Sequence, residues 1–181
     1  ARVWDARDGR SLYDPLRHED WVASASFSPD GQLLATAGHD SKVRIWDVAS
    51  GRPLRVLDDH TQAVGSVVFS SDGSRLLTTS HDGSARVWDV STWARRQGLP
   101  HPAAVVHAAF SSDGAQVVTA TSDTIFVWNL ESSRALAEHA AQNADVTQVG
   151  FSADGRTVVY ASEGGARVRA WRVGSEADSE V

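Results

Sequence analysis

Phe27-Ser28-Pro29-Asp30-Gly31 and, a little further on, Val43-Arg44-Ile45-Trp46-Asp47 set the architecture, because both phrases recur along the chain. The first returns at Phe69, Phe110 and Phe151, each followed by a turn: Ser70-Ser71-Asp72-Gly73, Ser111-Ser112-Asp113-Gly114 and Ser152-Ala153-Asp154-Gly155. These phenylalanines are spaced 42, 41 and 41 residues apart. The second phrase returns as a tryptophan ladder, Trp4, Trp46, Trp88, Trp128 and Trp171, with spacings of 42, 42, 40 and 43. Self-similarity at this period marks stacked units, none of which can bury its own faces alone.

One unit reads as four short strands. Trp21 to Phe27 is small and apolar, and Asp30-Gly31 then turns the chain, glycine accepting the positive φ of a tight hairpin. Leu33 to Ala37 is the second strand, Gly38-His39-Asp40-Ser41 the second turn, and β-branched Val43 to Trp46 the third strand. After Ser50-Gly51, Pro53 to Leu57 is the fourth, its proline suited to an edge where a missing N–H costs no ladder bond. Four antiparallel strands per period make an all-β fold of propeller-type blades. The first strands are rich in small residues (Ala23 to Ser26, Gly65 and Ser66, Ala108 and Ala109, Gly150), which fits an innermost strand crowding a central channel. The aromatic ladders are expected farther out, filling the volume between blades.

Composition narrows the function. The 181 residues carry 17 basic and 23 acidic side chains, a net charge of -6, which argues against a phosphate-tracking nucleic-acid binder. No apolar run approaches the ~18 residues of a membrane span, and no signal segment opens the chain. Absence of cysteine removes disulfides and thiolate metal sites and fits a reducing, cytoplasmic compartment. With no methionine, Ala1 reads as other than the natural start, and Arg and Ala richness with a single lysine, Lys42, points to a bacterial source.

The repeated Trp endings in register with the Asp-Gly turns resemble the WD-repeat β-propeller family, over Ala1 to Val173. The units lie at about 11–48, 53–90, 95–130 and 134–173, with a partial strand at 1–5, and 174–181 is expected to be a disordered acidic tail. The resemblance implies a structural hydrogen-bond tetrad in three units: His18, Thr36, Asp40 and Trp46; His60, Thr78, Asp82 and Trp88; His101, Thr119, Asp123 and Trp128. In the fourth, Gln142, Tyr160 and Gly165 replace the His, Thr and Asp, and Arg172 the Asp after Trp, so packing is expected to hold that blade. A His, an Asp and a hydroxyl invite a catalytic reading, but nucleophilic catalysis needs an activated, accessible nucleophile and an oxyanion hole. A threonine repeated in three units fits mutual satisfaction inside a blade, so no catalytic residue is assigned.

The resemblance also implies a partner-binding face, formed by the loop before the first strand and the turn between the second and third. By position it carries Glu19, Trp21 and His39; Thr61 and His81; Pro102 and Ser122; and Asn143 and Asp145. Trp21 stands out, because its counterparts are Ala63, Ala104 and Asp145, and a surface Trp is a typical interface anchor; packing against its own loop is the alternative. His39 and His81 in adjacent turns supply too few ligands for a metal, so no metal or cofactor is expected. Arg2, Arg44, Arg86 and Arg169 precede the tryptophans by two, with Phe126 breaking the ladder. They are expected to pack aliphatic stems between strands with their heads at the rim. Trp93, Arg95 and Arg96 mark an irregular fourth strand.

Ala1 to Asp5 matches the end of a third strand, and Arg167 to Val173 is a third strand with no fourth after it. The chain therefore reads as the C-terminal part of an incomplete ring. Upstream blades, a second copy, or Ser11 to Leu16 lent to the last blade would complete it. The leading functional expectation is a non-catalytic scaffold or sensor that binds a protein or peptide, of the kind that serves signalling, with no nucleic acid and no membrane as partner. The alternative is a propeller-fold enzyme, of hydrolase or lactonase type, with its site at the channel mouth.

Overall fold

The computed structural model describes residues 1–141, 145–162, 165–175 and 178–180. Its strands form four antiparallel four-stranded sheets, each a meander in chain order. Blade 1 comprises β1 (Val22–Phe27), β2 (Leu33–Gly38), β3 (Val43–Asp47) and β4 (Pro53–Leu57); blade 2 comprises β5 (Val64–Phe69), β6 (Arg75–Ser80), β7 (Ser84–Asp89) and β8 (Arg95–Pro100). Blade 3 comprises β9 (His107–Phe110), β10 (Gln116–Ala120), β11 (Thr124–Asn129) and β12 (Arg134–Ala140). Blade 4 comprises β13 (Val146–Phe151), β14 (Thr157–Ser162), β15 (Gly165–Arg172) and β16 (Asp178–Glu180). The sequence units are offset from the blades by one strand, since Pro53 opens a unit while β4 pairs with β3.

The first hairpin is built the same way in each blade. Ser28 Oγ donates to Asp30 at 2.6 Å and accepts Leu33 N at 2.9 Å, while Gly31 takes φ of 70°. Ser70, Ser111 and Ser152 repeat both bonds. A short side chain that closes on its own turn ends one strand and aims the next.

Blades stack in chain order, with β1 against β5, β5 against β9 and β9 against β13. Each joint is a separate apolar cluster. Ala35, Ala37, Val43 and Ile45 of blade 1 meet Val64, Val67, Phe69, Leu76 and Trp88 of blade 2. Leu77, Ala85, Val87 and Leu99 then meet Val105, Val117, Phe126 and Trp128, and Val118, Ile125 and Val127 meet Val149, Val158, Tyr160 and Trp171. Each joint thus sets aliphatic residues of one blade against a face of the next that carries the aromatic residues. Val67 N and Phe69 N also donate to Ser24 and Ser26 Oγ across the first joint, at 3.3 and 3.4 Å.

Several expectations change at the ends of the array. Ser11 to Leu16 does not reach the last blade: Leu12 N and Leu16 N bond Val3 O and Ala1 O, and Trp4 bridges Ser11. This N-terminal hairpin seats Val3 and Leu16 on Leu34 and Trp46, where a preceding blade's outer half would sit. It leaves the inner half uncovered, so Phe27 is 52% exposed, unlike its buried counterpart Phe69, and Trp4, on the hairpin itself, is 54% exposed where Trp88 is buried. Part of the expected acidic tail is also ordered into a strand. β16 pairs with β15 in the register Arg169 to Glu180, Ala170 to Ser179 and Trp171 to Asp178, supplying the outer strand that Arg167 to Val173 lacked.

Candidate functional site

The polar interior of each blade is assembled from three strands and the loop that precedes them. In blade 1 the bonds run in one direction. Trp46 Nε1 donates to Thr36 Oγ1 at 2.8 Å, Thr36 Oγ1 donates to His18 Nε2 at 2.8 Å, and His18 Nδ1 donates to Asp40 at 2.9 Å. Thr36 is fully buried, and this order gives its hydroxyl one donor and one acceptor. Blade 2 repeats the chain through Trp88, Thr78, His60 and Asp82, at 3.0, 2.8 and 2.9 Å. Burial holds His18 and His60 below the ordinary imidazole value, so both are neutral at pH 7 and the tautomer is fixed by the aspartate. Burial alone would raise Asp82, but hydrogen bonds from Ser84, His60 and Thr61 N outweigh it and leave it at about 2. Asp40 is held well below the usual carboxylate range in the same way, by His18, Glu19 N and Arg44.

Blade 3 departs from the expected tetrad. Trp128 and His101 still meet on Thr119, at 2.9 and 2.7 Å, but Asp123 turns to Thr121 and Thr124, and among the described residues His101 Nδ1 has no side-chain partner. The cause is a hairpin shorter by one residue: Thr119 pairs with Phe126, whereas Thr36 pairs with Arg44 and Thr78 with Arg86. The arginine that anchors the aspartate is also replaced, and Phe126 meets His101 edge-on at 5.0 Å instead. Arg44 and Arg86 themselves do not extend to the rim. Their side chains are 12% exposed and reach Asp40 at 2.6 Å and Asp82 at 3.4 Å.

In blade 4, Tyr160 is buried and Trp171 Nε1 donates to Ser175 O at 2.9 Å. His139 of blade 3 stacks on Trp171 at 4.7 Å and 19°, a contact the sequence reading missed. Its only signal was the alternation of β12, where Ala137 and His139 are the two partly buried positions. Gln142 lies outside the described residues, as does Asn143 of the proposed face. Trp93, expected in an irregular strand, sits in the β7–β8 turn at φ of 59° and packs on the first joint.

No threonine of these sets can act as an exposed nucleophile, because Thr36, Thr78 and Thr119 are fully buried. Among the described residues no group of three or more His, Cys, Asp or Glu stands close enough to hold a metal.

The remaining candidate residues gather at one end of the array, because His39 N bonds Trp21 O and His81 N bonds Ala63 O, tying each second turn to the loop before the first strand. Glu19, Trp21, His39, Thr61, His81, Pro102, Ser122 and Asp145 are all exposed there. Trp21 is 77% exposed, so its ring does not fold back on its own loop. Its ring lies 5.9 Å from His39, and His39 lies 6.3 Å from His81, so three exposed rings bridge blades 1 and 2. Glu19, Asp20, Asp123 and Asp145 are exposed carboxylates, and Glu19 is bound to Lys42 at 3.1 Å and stands 3.8 Å from Arg44.

The pattern of the family described as WD domain, G-beta repeat matches residues 9–47, 51–89 and 95–129. A 43-residue stretch is 42% identical to the WD repeat and SOCS box-containing protein 1 of Homo sapiens, covering 23% of this chain and 10% of that protein. The chain thus spans only a small part of that relative's length. Three matched repeats that coincide with three of the four observed Trp-ended units place the chain in the WD-repeat family.

Proposed function

We propose that the chain is a non-catalytic protein-interaction module whose contact face is the end carrying Trp21, His39 and His81. WD repeats generally serve as interaction scaffolds, which supports the class. The observation that carries the reading is Trp21: an indole 77% exposed, in ring contact with a histidine, at a position where the repeat requires no aromatic. Large apolar surface left in water is costly unless a partner covers it, and Trp is among the commonest interface anchors. The neighbouring Asp20 carboxylate favours a partner segment with arginine or lysine, which can lie over the indole face.

The test is capture of binding partners by the parent, by Trp21→Ala and by a control at the opposite end, Gln32→Ala. Trp21→Ala is expected to lose the specific partner, weakening binding by roughly 2 kcal/mol or more, while melting as the parent does. Partners retained equally by all three proteins would exclude this face.

A further inference from the structure

Blade 2 carries a cavity of about 570 Å³ lined by Ser84, Arg86, Arg95, Arg96, Gln97 and Gly98 with Pro100. It lies over the edge where β7 pairs with β8. The three arginines are unexpected in a chain with a net charge of -6.

The repeat itself shows that the framework does not require them. Blades 1, 2 and 3 share a register shift between the third and fourth strands, one extra residue opposite the step before Trp. Such bulges re-aim side chains. The bulged pair is Pro53 and Leu54 in blade 1 and Ala135 and Leu136 in blade 3, but Arg95 and Arg96 in blade 2. Two residues further on, blade 1 sets Val56 opposite Arg44 and blade 3 sets Glu138 opposite Phe126, while blade 2 sets Gly98 opposite Arg86. A Cβ added at Gly98 would meet nothing within 4 Å, so the missing side chain opens the space over Arg86.

Arg86 is also under-committed. Asp82 Oδ2 already accepts from His60 Nδ1 at 2.9 Å and Thr61 N at 3.1 Å, and Ser84 Oγ donates to Oδ1 at 2.6 Å. The guanidinium is left 3.4 Å from this carboxylate, and its buried Nη1 has no hydrogen-bond partner among the described residues. Among the described residues Arg95 makes only an open pair with Asp59 at 3.5 Å, with both side chains nearly half exposed. Arg96 is spent on Asp89. Two guanidinium forks therefore border one cavity, one with an orphan donor and one held by a weak, exchangeable partner.

We propose that this cavity is an oxyanion site for a phosphoryl group, bound between Arg86 and Arg95. A single carboxylate fills one fork, whereas a tetrahedral dianion presents oxygens to two forks at once and outcompetes Asp59 for Arg95.

The test is titration of the 181-residue chain with inorganic phosphate at fixed ionic strength, by calorimetry, alongside R95Q, G98V and D59N. G98V installs the side chain that blade 1 carries at the equivalent place. Saturable binding is expected in the parent, at least tenfold weaker in R95Q and in G98V, and at least threefold tighter in D59N, where the competing carboxylate is gone. Thermal melts identify any variant that fails to fold, and R95Q carries the reading should G98V do so. Absence of saturable phosphate binding by the parent overturns the proposal, as does parent-like binding by R95Q. A parallel titration with a phosphoserine peptide separates the sources: tighter binding than free phosphate assigns a protein-borne group, and equal binding assigns the free ion.

Discussion

Asp40, Asp82 and Asp123 each stand four residues after a tetrad threonine, yet only the first two reach their histidine. Position matching named these candidates, and the residue missing from the blade 3 hairpin is visible as a Thr119-to-Trp128 interval of nine where the other two are ten, but where Asp123 then points is not a matter of counting. The consequence is electrostatic. His101 is driven to about 4, chiefly by burial, opposed by a hydrogen bond with the Leu99 backbone, and among the described residues no carboxylate bonds it to support its cation. The unfolded chain binds that proton near pH 6.5 while the folded one refuses it until about pH 4, so this group's contribution to stability is complete above the unfolded value and falls with acidification between the two. Stability is therefore expected to drop by about 2 kcal/mol between pH 7 and pH 5 from this residue. His101→Gln, which keeps an acceptor for the Thr119 hydroxyl, is expected to remove that part of the slope. Denaturant melts at the two pH values check it, and an unchanged slope in the variant would sink the assignment.

At the scale of the element, strands and hairpins were legible because period-two apolar runs and Asp-Gly turns are local signals. The outer strand β16 was not, because an acidic stretch with no apolar alternation carries no local signal; only the open edge of β15 gives it a place to pair. The N-terminal hairpin was misplaced for a related reason: Ser11 to Leu16 reads as a strand without naming its partner. The second turns show how one backbone shape accepts two residues. Ser41 takes φ of 63° and Gly83 takes 77° at the same position of blades 1 and 2. Gly83 has a further constraint, since its carbonyl accepts His101 N at 2.8 Å and a Cβ there would stand 3.2 Å from His101 O. Gly83→Ala is expected to cost about 1–2 kcal/mol from the left-handed backbone and that contact, whereas Gly114→Ala, with open space around its Cβ, should cost less. Chemical denaturation of the pair tests the difference; equal losses would remove the role of the His101 contact.

Across the whole molecule, the joints define what the two outer faces need. Ser24 and Ser26 point forward to blade 2, so alternation along β1 turns Ala23, Ala25 and Phe27 to the uncovered side. At the other end Gln148, Gly150, Val159, Ala161 and Val168 border an open hollow of about 290 Å³ on blade 4. By position these are the residues that, in blades 1 to 3, receive the next blade's Phe and Trp. The inner halves of the two faces are thus complementary parts of one repeated joint, the outer half on blade 1 being already covered by Val3 and Leu16. Exposed apolar surface of this kind favours association, and a head-to-tail contact between copies follows from the repeat. The 181-residue chain is therefore expected to self-associate with rising concentration, and Phe27→Asp or Val168→Asp to reduce it, one variant acting from each side of the contact. Light scattering over a concentration series reads the outcome. A concentration-independent monomer with a cooperative melt would show that the uncovered faces are stable in water. Weakening by Phe27→Asp but not by Val168→Asp would show that a surface other than the hollow on blade 4 receives Phe27.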